Sequence, residues 1–178
     1  TGVVTPGSVK TWPPLTQADR DAVMAVFDSN QLHGTSAPKA LELQEKWAAY
    51  VGTKYALTTN SGTAAIHMAV AGAGIGPGDE VITTPMTFCA SANVVEHVGG
   101  TVVFADIEPD TLLIDTKEIE KHVTKNTKMI LPVHYCGQAA DMEKINSIAG
   151  SAGAVVVEDA AHCMPSKIGG EWVGSGKN

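Results

Sequence analysis

Hydrophobic positions along this chain begin in helical order and then settle into a steady alternation of short apolar runs with helical stretches. Thr16 with Asp19 three residues on has the spacing of a capping arrangement, predicting a helix through about Asp28. Gln31 to Thr35, with Gly34, breaks that pattern. A second helix is predicted from near Ser36 to Val51, with Leu41, Trp47, Ala48 and Val51 along one side and Gly52 as its stop. Further on, strands are predicted at Tyr55–Thr59, Glu80–Thr84, Thr101–Ala105 and Lys128–Pro132. Between them fall helices from Ala64 to about Ala73, from Thr87 to Val98, from a cap at Asp115 to Val123, and from Asp141 to Ala152. Gly76-Pro77-Gly78 reads as a turn, and Gly169-Gly170 as the two-residue turn of a hairpin. Thr1 to Pro14, rich in Pro, Gly and Thr, is expected to run extended over the surface. Strand alternating with helix predicts a mostly parallel sheet covered by helices, an α/β architecture of three layers.

The chain is organised around Ala154-Val155-Val156-Val157-Glu158-Asp159-Ala160-Ala161-His162. An unbroken apolar run of this length is expected to be a central strand covered on both faces, as in a parallel sheet. Its carboxyl end is where open α/β sheets place ligands. Alternation sends Glu158 and Asp159 to opposite faces, so only one of them can point into a given crevice. An acid there needs a partner, because an unpaired buried carboxylate is too costly. Asp159 is also placed to do no more than cap the segment that follows.

Composition narrows the class. The 178 residues are 44% hydrophobic and 17% charged, enough for one domain with a real core. The net charge is -7 and Arg20 is the single arginine, which speaks against nucleic-acid binding. Cys89, Cys136 and Cys163 are odd in number, lack metal-ligand spacing, and read as reduced thiols of a cytoplasmic protein. No apolar run reaches the length of a membrane span, and no basic-then-apolar leader pattern opens the chain, so no membrane partner is expected.

Candidate chemistry sits where predicted strands end. Ser61-Gly62-Thr63-Ala64 opens a helix; the free N–H groups and hydroxyls there can hold one phosphate without an arginine, or can serve as an ordinary helix cap. Phe88, in Pro85-Met86-Thr87-Phe88, can stack on a planar cofactor or be a core aromatic. Asp159 can hold a pyridine nitrogen protonated, with His162 bonding a ring oxygen or orienting the acid. His162 and His134 can equally be satisfied structural histidines. A phosphate cradle, a stacking aromatic and a pyridinium partner, all at strand ends, are more specific together than any one alone.

Ser61-Gly62-Thr63-Ala64-Ala65, Gly76-Pro77-Gly78-Asp79-Glu80-Val81-Ile82, Pro85-Met86-Thr87-Phe88 and Glu158-Asp159-Ala160-Ala161-His162 resemble the DegT/DnrJ/EryC1/StrS aminotransferases, in family order from roughly Leu15 to Gly174. Val133-His134-Tyr135-Cys136-Gly137-Gln138 is similar to a family loop near the active site. The resemblance implies the large domain of a fold-type I (aspartate aminotransferase class) enzyme, dependent on pyridoxal 5'-phosphate (PLP) and homodimeric. It implies transfer of an amino group from an amino acid, typically glutamate or glutamine, to a keto-sugar, usually nucleotide-linked, or a keto-cyclitol. By the same resemblance Thr63 and Ala64, next to Ser61 and Gly62 in the same cofactor site, bind the phosphate through backbone N–H groups and the Thr hydroxyl, Phe88 stacks on the ring, Asp159 pairs with its nitrogen as the catalytic pyridinium partner, and His162 contacts the phenolic oxygen. Lys177 follows Asp159 by 18 residues, closer than the roughly 30 implied for the Schiff-base lysine. The expectation is therefore residues 1–35 as an N-terminal extension with the first helix, and 36–178 as a PLP-binding domain that stops short of that lysine. Two alternatives remain open on the sequence: a PLP- or PMP-dependent sugar dehydratase, with histidine in place of the lysine, and a non-catalytic regulatory or interaction fragment.

Overall fold

The computed structural model describes residues 13–34 and 37–176, so the expectations for Thr1–Trp12, Ser36 and Lys177 lie outside the described residues. Helix α1 (Gln17–Asp28) opens with the expected capping box, the Thr16 side chain accepting from the Asp19 N–H and the Asp19 carboxylate accepting from Thr16. Helix α2 (Pro38–Val51) starts at a proline, whose missing N–H costs nothing in a first turn, and ends at Gly52 in the left-handed region. Of the side predicted to pack, only Val51 is buried; Leu41 and Trp47 are exposed.

Helix α3 (Gly62–Gly72) leads through the Gly76–Gly78 turn into strand β1 (Glu80–Thr83). Then come α4 (Ala90–His97), β2 (Thr101–Phe104), α5 (Thr116–His122), β3 (Thr127–Leu131), a 3₁₀ turn at Tyr135–Gly137, α6 (Met142–Ala152) and β4 (Val155–Val156). Asp115 caps α5 through its carboxylate, as expected, and Asp141, expected as the first residue of α6, is its N-cap by the same contact. The four strands lie in the order β2-β1-β3-β4 with every pairing parallel. Alternation along them fills two clusters, one on each face. Val81, Met129, Leu131 and Val133 meet Ile66, Val70, Val94 and Val95 of α3 and α4. Ile82 and Ile130 meet Ile119, Met142, Ile145 and Ala149 of α5 and α6. Helices on both faces of a parallel sheet are the three layers expected. Strands β5 (Lys167–Ile168) and β6 (Glu171–Trp172) form the predicted antiparallel hairpin, whose Gly169 and Gly170 have φ of 57° and 94° that other residues rarely adopt.

Three expectations need correction. Tyr55–Thr59 is not a strand: it pairs with no segment among the described residues, Tyr55 and Leu57 are exposed, and the Thr58 N–H goes instead to the Gln44 side chain. Helix α4 begins at Ala90 and not at Thr87, because Pro85 to Thr87 form bends that carry the chain off the end of β1. Among the described residues the organising run lies at the edge of the sheet and not at its centre: β4 is a strand of two residues paired on one side, with Val155 46% exposed. Its pairing resumes at a single parallel bridge between Val133 and Asp159.

Candidate active site at the carboxyl edge of the sheet

All four parallel strands point the same way, so the segments after β1, β3 and β4 emerge along one edge. Helix α3 precedes β1 through a tight turn and runs back along it, which brings its N-terminus to that edge. Topology therefore gathers Ser61–Ala64, Phe88, His134 and Asp159–His162 on one side of the molecule.

Asp159 is 6% exposed and held at every polar atom. Its backbone N–H donates to Pro132 O at 2.9 Å and its carbonyl accepts from the His134 N–H at 3.0 Å. Its Oδ2 accepts from Ser91 Oγ at 2.8 Å, and its Oδ1 from the Ala161 N–H at 3.2 Å. The second of these is a cap of the following turn, so the capping role and the buried-acid role coexist. Ser91 is fully buried on the first turn of α4 and also lies 2.8 Å from Thr87 Oγ1. Sequence reasoning missed Ser91, because a serine inside a helical stretch carries no signal of a partner in another element.

Glu158 takes the other face. Its Oε2 lies 2.9 Å from His134 Nε2 and also accepts from the Gly174 N–H at 3.3 Å. The Ala140 N–H donates to His134 Nδ1 at 3.0 Å, so Nδ1 carries no proton and Nε2–H is the donor to Glu158. His134 is fully buried and both its nitrogens are engaged, which makes it a structural histidine.

Ser61 caps α3, its Oγ accepting from the Ala64 N–H at 3.1 Å. The Gly62 and Thr63 N–H groups, in the first turn, have no carbonyl within the helix to bond, and both residues are exposed. A Cβ at Gly62 would meet none of the described residues within 4 Å, so there is open room beside this positive helix end. Phe88 stands 71% exposed, a position an aromatic ring occupies at a cost in water unless something flat covers it. His162 is also exposed; its ring contacts Tyr135 at 5.7 Å between centroids and is not paired with the Asp159 carboxylate. Cys136, in the same loop, has a φ of 51°, an unusual conformation for a residue with a side chain. Among the described residues no group of three or more His, Cys, Asp or Glu could hold a metal ion.

These residues fit PLP. A helix end with open N–H groups suits its phosphate, an uncovered phenyl ring suits its flat face, and a buried, fixed carboxylate suits a protonated ring nitrogen.

The DegT/DnrJ/EryC1/StrS aminotransferase family matches over residues 13–178, and the chain belongs to it. It is 45% identical over 141 residues, 79% of this chain and 36% of the relative, to the spore coat polysaccharide biosynthesis protein SpsC of Bacillus subtilis. An aminotransferase from Psychrobacter cryohalolentis superposes with a TM-score of 0.89 at 36% identity, covering 93% of this chain and 42% of that one. Spr1654 of Streptococcus pneumoniae, in its PLP form, superposes with a TM-score of 0.84 at 31% identity, covering 90% and 44%. The chain thus spans less than half the length of these proteins, from 36% to 44%.

Proposed function

We propose that the full-length protein is a PLP-dependent aminotransferase that moves an amino group from an amino acid, glutamate or glutamine, to a keto-sugar. A nucleotide-linked sugar is the favoured acceptor and a keto-cyclitol the other member of the class. The observation that carries this reading is Asp159: a carboxylate buried at a strand end and fixed on both oxygens, in a chain of this family. PLP, when bound, supplies an electron sink that makes the hydrogen on the carbon bearing the amine acidic. Asp159 holds the proton at the ring nitrogen by its negative charge. Gly62 and Thr63 bind the phosphate through the open N–H groups of the α3 N-terminus, whose first turn is ordered by the Ser61 cap on Ala64. Phe88 covers one ring face and excludes water from it, and His162 closes the phenolic side. The active protein is proposed to be a homodimer in the cytoplasm.

Full-length protein loaded with PLP tests this. With glutamate or glutamine it is expected to release the matching 2-oxo acid and pass the amine to a keto-sugar in a second half-reaction. Failure to retain PLP, or release of a dehydrated sugar with no amine transferred, would overturn the proposal.

A further inference from the structure

The hydroxyl pair Thr87 and Ser91 joins the two residues proposed to touch the cofactor ring, Phe88 and Asp159. Ser91 Oγ has one proton. It lies 2.8 Å from Asp159 Oδ2, a buried carboxylate oxygen, and 3.4 Å from Phe88 O, so the proton goes to the shorter, charge-assisted bond. Ser91 Oγ must then accept at its other short contact, and Thr87 Oγ1, 2.8 Å away, is the donor. The result is a directed chain: Thr87 O–H to Ser91, Ser91 O–H to Asp159.

We infer that Ser91, backed by Thr87, is a positioning residue that fixes the Asp159 carboxylate and the Phe88 turn in the geometry the ring requires. The reading rests on the function proposed above. Two observations carry it. Asp159 is held by the sheet at its backbone, yet its side chain would be free to rotate about its own bonds without Ser91 and the Ala161 N–H. And Phe88 lies inside the turn that the Thr87–Ser91 contact closes, so one hydrogen-bonded pair sets both the shelf under the ring and the acid at its nitrogen. Because Ser91 is fully buried and Asp159 nearly so, water cannot replace the lost donor at that oxygen without entering the core.

The test is a double-mutant cycle in full-length protein with PLP as the probe, read by equilibrium dialysis and by the visible absorption band of the bound cofactor. Ser91→Ala is expected to weaken PLP binding about tenfold, the loss of one hydrogen bond to a charged group, and to shift the band. In an Asp159→Asn background the same substitution is expected to change affinity by less than about twofold, since its target charge is gone. Ser91→Thr keeps the hydroxyl and is expected to restore binding, and Thr87→Val, which spares the buried serine, to give a smaller loss with the same dependence on Asp159. Equal losses from Ser91→Ala in both backgrounds, or none in either, would overturn the inference while leaving the function intact. Unchanged affinity and spectrum in Asp159→Asn alone would remove the functional reading and this one with it.

Discussion

His134 Nε2 donates to Glu158 Oε2 at 2.9 Å, and the same oxygen receives the Gly174 N–H. One carboxylate therefore ties three segments: the loop after β3, the end of β4 and the loop beyond the β5–β6 hairpin. His134→Ala would strip the Ala140 N–H of its acceptor, leave Glu158 with one donor, and open a hole in a fully buried site. We expect a loss of about 2–4 kcal/mol in urea unfolding of the full-length protein. A change below half a kcal/mol would mean that the clamp is incidental.

The functional acid makes a sharper case. Asp159→Asn keeps the shape; its one amide oxygen can still accept from the Ala161 N–H while the NH2 turns to donate to Ser91 Oγ, so folding should be intact. A neutral amide cannot hold a proton on a ring nitrogen, and amino transfer is expected to fall by several orders of magnitude. Steady-state rates beside a thermal melt separate the two effects. Near-normal turnover would sink the assignment.

Much of this was legible in the sequence, and the reason differs from one residue to the next. Thr16 with Asp19, Asp115, Asp141 and Gly52 are local signals, satisfied within four residues, and each marks a helix end where expected. Tyr55–Thr59 has strand composition but no strand beside it among the described residues, and pairing is a property of two segments, not one. The run at Val155 was misplaced for a related cause: its apolar side chains do not say whether a neighbour lies on one side or both. Ser91 was invisible because its partner lies 68 residues away.

At the other end of the proposed cofactor, Thr63→Val removes a hydroxyl and keeps the backbone N–H and the side-chain shape. The residue is exposed at the start of α3, so the fold should not notice. PLP retention in full-length protein is expected to weaken by about 1–3 kcal/mol, one hydrogen bond to a charged group. Dialysis followed by cofactor quantification measures it. Unchanged retention would favour a plain helix cap.

A pH effect is expected in α2, away from the site. Hydrogen bonds from Lys39 and Lys46 hold the Glu42 carboxyl at about 2, below its ordinary 4.5. A folded value depressed in this way gives a contribution present above about pH 4.5 and lost as pH falls toward 2. The group is on the surface, so salt should shrink the effect. An NMR titration of Glu42 in low and high salt checks this, and a curve at the ordinary carboxylate position in low salt would refute the pairing.

The last prediction concerns the exposed apolar helices. No residue of α1 is buried, and Val23, Met24 and Phe27 all stand more than half exposed on its surface. On α2, Leu43, Trp47 and Tyr50 are also exposed, and with Met164 and Pro165 they line a groove of about 450 Å³. Patches of this kind on a protein surface drive association. These 178 residues, expressed alone, are therefore expected to self-associate, with a weight-average mass in sedimentation equilibrium that exceeds 18.5 kDa and rises with concentration. Because α1 contributes nothing buried, Phe27→Ser should lower that association without a cost in core packing, and a thermal melt of the variant should match the parent. A monomer at every concentration would show that the apolar face needs no cover, and would remove the support this surface lends to the proposed dimer.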